Sequence, residues 1–374
     1  MVTTAAARAV GRWPAVVPIV ALVVLALSWP SGGGPGVLVV VALFLVGAIL
    51  AAVHHAEVVA HRVGEPFGSL ILAVAVTVIE VGLIVMLMIG GGEGASSYAR
   101  DTVFAAVMIT LNGIVGMSLL VGALKHHLVA FNASGTGSAV ATVIALAGIA
   151  LVLPSVTTSA PGQEYSPSQL AFAAVASMVL YGAFVFTQTV RHRDFFLPVS
   201  SDDRGRVTGL LDLDADGHAD PPSAREAWLS LALLVVALVC VVGLAKILSP
   251  TVEMVVGDLG LPYAVVGVVI ALLVLSPESI AAVRNAAKDR VQTSLNLAYG
   301  SAMASIGLTI PAVAIAMIWL PGSLELGLES TQLVLLALSV VVTGFTIVQG
   351  RAYALQGVVH LVLLAAFLFL SVQP

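Results

Sequence analysis

Eleven apolar stretches run along the chain, separated by short polar or Gly- and Pro-rich breaks. They are roughly Trp13–Trp29, Gly36–Ala60, Pro66–Ile89, Asp101–Leu124, Ser138–Leu153, Ser168–Val190, Ala227–Leu248, Leu261–Val283, Val291–Leu320, Thr331–Val348 and Ala354–Leu370. A helix needs about 20 such residues to cross hydrocarbon. Backbone polar groups must pair internally there, so each stretch is expected to be a helix. Breaks fall at Pro30 to Pro35, Gly90 to Gly94, Pro154, Pro250 and Pro321-Gly322. One long polar stretch, Arg191–Glu226, interrupts the pattern with eight acids and five arginines. It is expected to be a flexible linker, at most partly helical. The pattern predicts an all-α integral membrane protein with about eleven transmembrane helices.

Composition agrees. Of 374 residues 59% are hydrophobic and 9% charged, against about 25% charged in soluble domains. The single cysteine, Cys240, excludes an intramolecular disulfide and a cysteine-based metal cluster. Arg8 and Arg12 before the first apolar run imitate a signal peptide, but no small-x-small cleavage site ends the run. A retained first helix is expected. No phosphate-binding loop or nucleotide motif is present, so neither nucleotide nor nucleic acid is an expected partner and no cofactor is expected.

Orientation follows from Lys and Arg, which concentrate on the cytoplasmic side. With the N-terminus inside and the segments alternating, thirteen of the fifteen basic residues fall inside, and only Arg100 and Lys246 fall outside. The basic group Arg284, Lys288 and Arg290 reads as one such anchor. The 191–226 stretch is then cytoplasmic and the C-terminus external.

Two acids lie inside apolar segments, Glu80 well within the third and Glu278 near the end of the eighth. An acid at a helix centre costs about 2.5–3.5 kcal/mol on insertion scales and normally faces a bundle interior or a water path. The two segments run antiparallel, and each is the second of five. That is the arrangement of an inverted repeat, which secondary transporters use to build a midplane site. The expected domains are an extra N-terminal helix (1–35), a first five-helix repeat (36–190), an acidic cytoplasmic linker (191–226) and a second five-helix repeat (227–374).

A hard cation takes oxygen ligands, and a carboxylate out of water can hold a proton as well. One pair of glutamates can therefore bind a cation or protons in competition, the chemical basis of proton-coupled antiport. Thr77 shares a helix face with Glu80. Ser276 precedes Pro277-Glu278, where proline can free carbonyls toward an ion. Asn112 and Ser305 lie in the matching next segments. The expected cation/proton-binding set is Glu80, Glu278, Thr77, Ser276, Asn112 and Ser305, with the two glutamates as direct metal ligands.

Two further groups are candidate regulatory elements. His54, Glu57 and His61 fall on one helix face, without a recognised zinc-protease spacing. Asp212, Asp214 and Asp216, followed by Gly217, match the start of a calcium loop, but position twelve is Ser223 and Pro221-Pro222 interrupt it.

The stretch Gly64–Glu80, GEPFGSLILAVAVTVIE, resembles the first repeat motif of the calcium:proton exchangers in the calcium/cation antiporter superfamily, and VVGVVIALLVLSPES with Glu278 resembles the second. AHRVGEPFG, VTVIEV and QTVRHRDFFLP are similar to the bacterial inner-membrane sodium-potassium/calcium:proton antiporters. The resemblance covers essentially the whole chain. It implies an extra helix, two five-helix repeats, an acidic loop between them and ion-binding roles for Glu80 and Glu278. Better-known members end the motif as Gly-Asn-Ala-x-Glu. Here Val76, Thr77, Val78 and Ile79 precede Glu80, and Val274, Leu275, Ser276 and Pro277 precede Glu278. That departure leaves sodium and potassium open beside calcium.

The expectation is thus a secondary active antiporter of the inner membrane, exporting Ca2+ as first choice, and Na+ or K+ next, in exchange for H+ by alternating access. Its partners are the lipid bilayer, small inorganic cations and protons. A cation channel on the same acids, and a membrane-embedded metalloenzyme using His54–His61, are the rival classes.

Overall fold

The computed structural model of the chain describes residues 13–29, 34–64, 67–90, 92, 94–201, 207–210, 222–320 and 322–374. Its α-helices are α1 (Trp13–Ser28), α2 (Pro35–Val63), α3 (Phe67–Gly90), α4 (Tyr98–Met108), α5 (Val115–His126), α6 (Ala133–Ala147), α7 (Pro167–Phe186), α8 (Ala224–Asp258), α9 (Ala264–Val274), α10 (Ser276–Ala286), α11 (Val291–Ala316), α12 (Ser330–Val348) and α13 (Ala354–Val372). Short π-helical segments at Ile109–Ile114, Gly148–Val152 and Thr187–Arg191 continue α4, α6 and α7. Among the described residues nine helical runs are long and apolar enough to cross a membrane, the α9–α10 pair makes a tenth, and α1 is a shorter apolar helix.

Two boundaries differ from the sequence pattern. Pro250 was expected to end a segment near Leu248, yet α8 runs through it to Asp258. Neighbouring helices and side chains can take up the groups that proline frees inside a membrane helix. The segment Leu261–Val283 was expected to be one helix. It is instead two, α9 and α10, bent by 52° at Leu275.

The chain divides into two compact units, 1–95 with 219–260 and 96–218 with 261–374. Each takes helices from both halves of the sequence. In the first, α2 packs on α1, α3 and α8, and α3 also packs on α8. A Cβ at Gly82 would come within 2.8 Å of Val242 Cγ2, so the missing side chain lets α3 and α8 approach closely. In the second, the continuous run Tyr98–His126 is the axis and is buried along most of its length. Helix α9 packs on α4, α13 on α5, and α11 on α7, α10 and the Ile109–Ile114 segment.

Connections that the alternating topology assigns to one side meet in the second unit. On the side expected to be cytoplasmic, β1 (Val129–Ala130) pairs antiparallel with β4 (Arg351–Ala352), and Asn132 N–H donates to Gln292 Oε1 at 2.7 Å. On the opposite side Glu325 N–H donates to Ser96 O at 3.0 Å and Gly327 N–H to Gln163 O at 2.9 Å. The linker departs from its expected form. After a 3-10 turn at Arg193–Phe196 it carries an antiparallel hairpin of β2 (Val199–Ser201) and β3 (Val207–Leu210).

The two basic residues on the expected outer side are both compensated locally. Arg100 is buried, 2.8 Å from Asp101 Oδ1 and 3.5 Å from Glu329 Oε1, with Glu325 at 3.8 Å. Lys246 places Nζ 5.1 Å from the centre of the Trp29 ring, within cation–π range.

Candidate functional site

Glu80 lies mid-helix in α3, only 3% exposed. Thr77, one turn earlier, is also buried, and its hydroxyl donates to Ala73 O at 2.8 Å. Its proton is therefore spent on its own helix, while its oxygen lone pairs remain able to face a cation. Both residues belong to the first unit.

Glu278 belongs to the second unit and sits differently. It is 5% exposed and lies in the first turn of α10. The break beneath it follows from Pro277. A continuous helix would bring the N–H of residue 277 to the Leu273 carbonyl, and proline has none. The Ser276 hydroxyl donates to that carbonyl instead, at 2.8 Å. The expectation that proline frees a carbonyl is met in part: Leu273 O loses the N–H of residue 277 and is engaged by the Ser276 hydroxyl. The bend turns the N-terminus of a half-helix toward Glu278, and that end favours a negative charge.

Asn112 lies in the π segment Ile109–Ile114, fully buried. Single-turn π segments within α-helices recur at functional sites. Its Nδ2 donates to Ser339 Oγ at 2.8 Å, and its Oδ1 lies 3.3 Å from His360 Nδ1. Ser305 is buried on α11, which packs on both the π segment and α10. The second unit therefore gathers the elements bearing Asn112, Glu278 and Ser305, and the first unit gathers Thr77 with Glu80.

The other candidates are not drawn together. The His54 ring lies 6.3 Å from that of Trp13, the neighbouring His55 donates through Nε2 to Pro14 O at 2.9 Å, and Glu57 and His61 are exposed. Among the described residues no three His, Cys, Asp or Glu side chains are grouped to hold a metal ion. Asp212, Asp214 and Asp216 lie outside the described residues.

Sequence reasoning passed over His360 and Ser339, both fully buried partners of Asn112. The signal for His360 was available, since the rule that singles out intramembrane acids applies to histidine as well. The π segment had no signal in the pattern of apolar residues.

A polytopic helical bundle that buries Glu80 from one half of its sequence and Glu278 from the other within apolar helices has the architecture of a membrane transporter. Residues 33–190 and 229–373 match the sodium/calcium exchanger protein family, and the chain belongs to that family. It is 45% identical over 334 residues to the ionic transporter y4hA of Sinorhizobium fredii, covering 88% of this chain and 87% of that one. It is 34% identical over 354 residues to the sodium-potassium/proton antiporter ChaA of Escherichia coli, covering 94% and 93%. In fold it is similar to native YfkE, with a TM-score of 0.71 at 17% identity over 96% of this chain and all of that one. It is also similar to the H+/Ca2+ exchanger CAX, with a TM-score of 0.61 at 14% identity over 96% and 91%.

Proposed function

We propose that this chain is a secondary active cation/proton antiporter, exporting calcium, or sodium or potassium, in exchange for protons. The carrying observation is a buried glutamate within an apolar helix of each sequence half, each with a hydroxyl neighbour, in a member of an exchanger family. The inverted repeat expected from the sequence supports assigning both Glu80 and Glu278 to cation and proton binding. Thr77, Ser276, Asn112 and Ser305 add neutral oxygens. Two carboxylates can balance a cation's charge, and protonation of either removes that balance. Protons arriving from outside thus compete with the cation for the same oxygens. Site reorientation then releases protons to the cytoplasm and lets the cation bind there and leave outward.

The channel and metalloenzyme readings draw no support from the family or from the placement of His54, Glu57 and His61. The basic-residue asymmetry supports an inner-membrane protein with the N-terminus and the 191–226 linker in the cytoplasm and the C-terminus outside. Asp212, Asp214 and Asp216 are assigned a regulatory role at most, as a cation-sensing part of that linker.

The test is transport in proteoliposomes with an imposed pH gradient, with calcium, sodium and potassium supplied separately. Cation flux that rises and reverses with the proton gradient is expected. Flux indifferent to that gradient would place the chain with channels. For topology, a cysteine at position 212 should be labelled from the cytoplasmic face only.

A further inference from the structure

His360 lies about two turns into α13, whose other polar side chains, Gln356 and Ser371, are near its ends. It is fully buried, and an ionisable side chain inside a membrane bundle is retained where it has partners and a task. Both ring nitrogens are engaged: Nδ1 lies 3.3 Å from Asn112 Oδ1 and Nε2 lies 3.2 Å from Thr346 Oγ1. Beyond Asn112 the chain of bonds continues. Asn112 Nδ2 donates to Ser339 Oγ at 2.8 Å, and the Ser339 hydroxyl donates to Leu335 O at 2.8 Å.

The direction of donation is set from that end. A backbone carbonyl only accepts, so Ser339 gives its proton to Leu335 and accepts from Asn112. The Asn112 amide then turns its oxygen to His360, and the imidazole carries its proton on Nδ1. The Thr346 hydroxyl has two acceptors within reach, Val342 O of its own helix at 2.9 Å and Nε2 at 3.2 Å; with the imidazole proton on Nδ1, Nε2 carries none and the hydroxyl turns to it.

Glycine brings the ring within reach. A Cβ at Gly116 would lie 2.9 Å from His360 Cβ and 3.1 Å from Gly357 O, and one at Gly357 would lie 2.6 Å from Leu120 N. Helices α5 and α13 therefore cross at backbone contact, as small residues permit in membrane bundles.

We propose that His360 is a positioning residue of the cation site, fixing which end of the Asn112 amide faces the ion. The inference rests on the reading of Asn112 as a cation ligand. A carboxamide held at one end can turn over and offer its NH2 group, which repels a cation. Held by His360 on the oxygen and by Ser339 on the nitrogen, it offers only the second lone pair of Oδ1. His360 touches no ion in this scheme and acts as a neutral donor.

The experiment compares wild type with Asn112→Ala, His360→Leu, His360→Gln, Ser339→Ala and the Asn112→Ala/His360→Leu double variant. KM and Vmax for calcium, sodium and potassium are measured in proteoliposomes under an imposed pH gradient. His360→Leu should raise KM about tenfold while Vmax stays within about twofold, the signature of lost binding rather than a lost later step. His360→Gln should recover most of that loss, because its amide can still donate to Oδ1. In the Asn112→Ala background His360→Leu should add nothing, as expected for two residues acting through one bond. Wild-type KM in His360→Leu, or an equal KM change with and without Asn112, would overturn the proposal. If His360→Leu fails to insert, Ser339→Ala releases the other end of the amide and should raise KM alike; wild-type KM there overturns it as well. Glu80→Gln and Glu278→Gln in the same vesicles separate the two readings. Lost exchange in these with unchanged KM in His360→Leu removes only the role of His360. Retained exchange removes the proposed site.

Discussion

Two helices carry the same kind of residue on different backbones. Around Glu80, α3 runs unbroken from Phe67 to Gly90; around Glu278, the helix stops at Leu275 and restarts at Ser276 with a 52° bend. Each has a hydroxyl close before its glutamate; the Thr77 hydroxyl donates to a backbone carbonyl of its own helix, and the Ser276 hydroxyl to one in the last turn of the preceding half-helix. The carbonyls differ, however. Ala73 O is the ordinary helical acceptor for Thr77 N–H, so the Thr77 hydroxyl is a second donor there. Leu273 O lacks the N–H of residue 277, so the Ser276 hydroxyl stands in for it. Glu278 also gains the positive end of a half-helix, worth about 0.3–1 kcal/mol, which a mid-helix position does not provide. The two helices thus share a carboxylate and a neighbouring hydroxyl, while one proline changes how the second carboxylate is supported.

The largest expected effect concerns what the two helices share. Glu80→Gln and Glu278→Gln should each abolish cation flux driven by an imposed proton gradient, at equal protein density. Gln keeps the size and an oxygen but cannot take the proton or balance the cation. Wild-type flux in one variant and none in the other would break the equivalence.

Pro277→Ala tests what they do not share. It restores an N–H for Leu273 and should straighten the α9–α10 break. Vmax should fall tenfold or more, since misplacing a site group by about 1 Å costs on the order of a hundredfold. Unchanged flux would show that the bend is not needed for exchange.

Smaller effects separate the hydroxyls. Ser276→Ala removes the donor that replaces the missing N–H and should cost about 1–3 kcal/mol of stability. Thr77→Val leaves Ala73 O with its helical partner and should be close to neutral. Thermal unfolding in detergent would compare them, and equal losses would contradict the roles assigned to the two carbonyls. Smallest of all, Glu278→Gln should be less stable than Glu80→Gln by a fraction of a kcal/mol, because only the former gives up a charge at a helix N-terminus.

Much of this molecule is legible in one dimension because the bilayer is a demanding solvent. A span must be long, apolar and helical, so the segments from Gly36–Ala60 onward appear in the sequence close to where the helices form. A charge among them is costly enough to announce itself, as Glu80 and Glu278 do. Alternation and basic-residue bias say which connections share a side, and the β1–β4 pairing and the Ser96–Glu325 contact join connections assigned to the same side.

Tertiary structure decided what depends on neighbours. Pro250 and Pro277 are the same residue in similar apolar runs, yet α8 passes through the first and the helix breaks at the second. The outcome depends on what satisfies the released backbone groups, and no window of sequence contains that. The π segment that carries Asn112 packs against α11 and α13, helices far from it in sequence. The partnership of Asn112 with Ser339 and His360 joins residues 227 and 248 positions apart. A polar side chain inside a membrane must find a partner, so its presence can be read from the chain. Which partner it finds is fixed only when Gly116 and Gly357 let two distant helices meet.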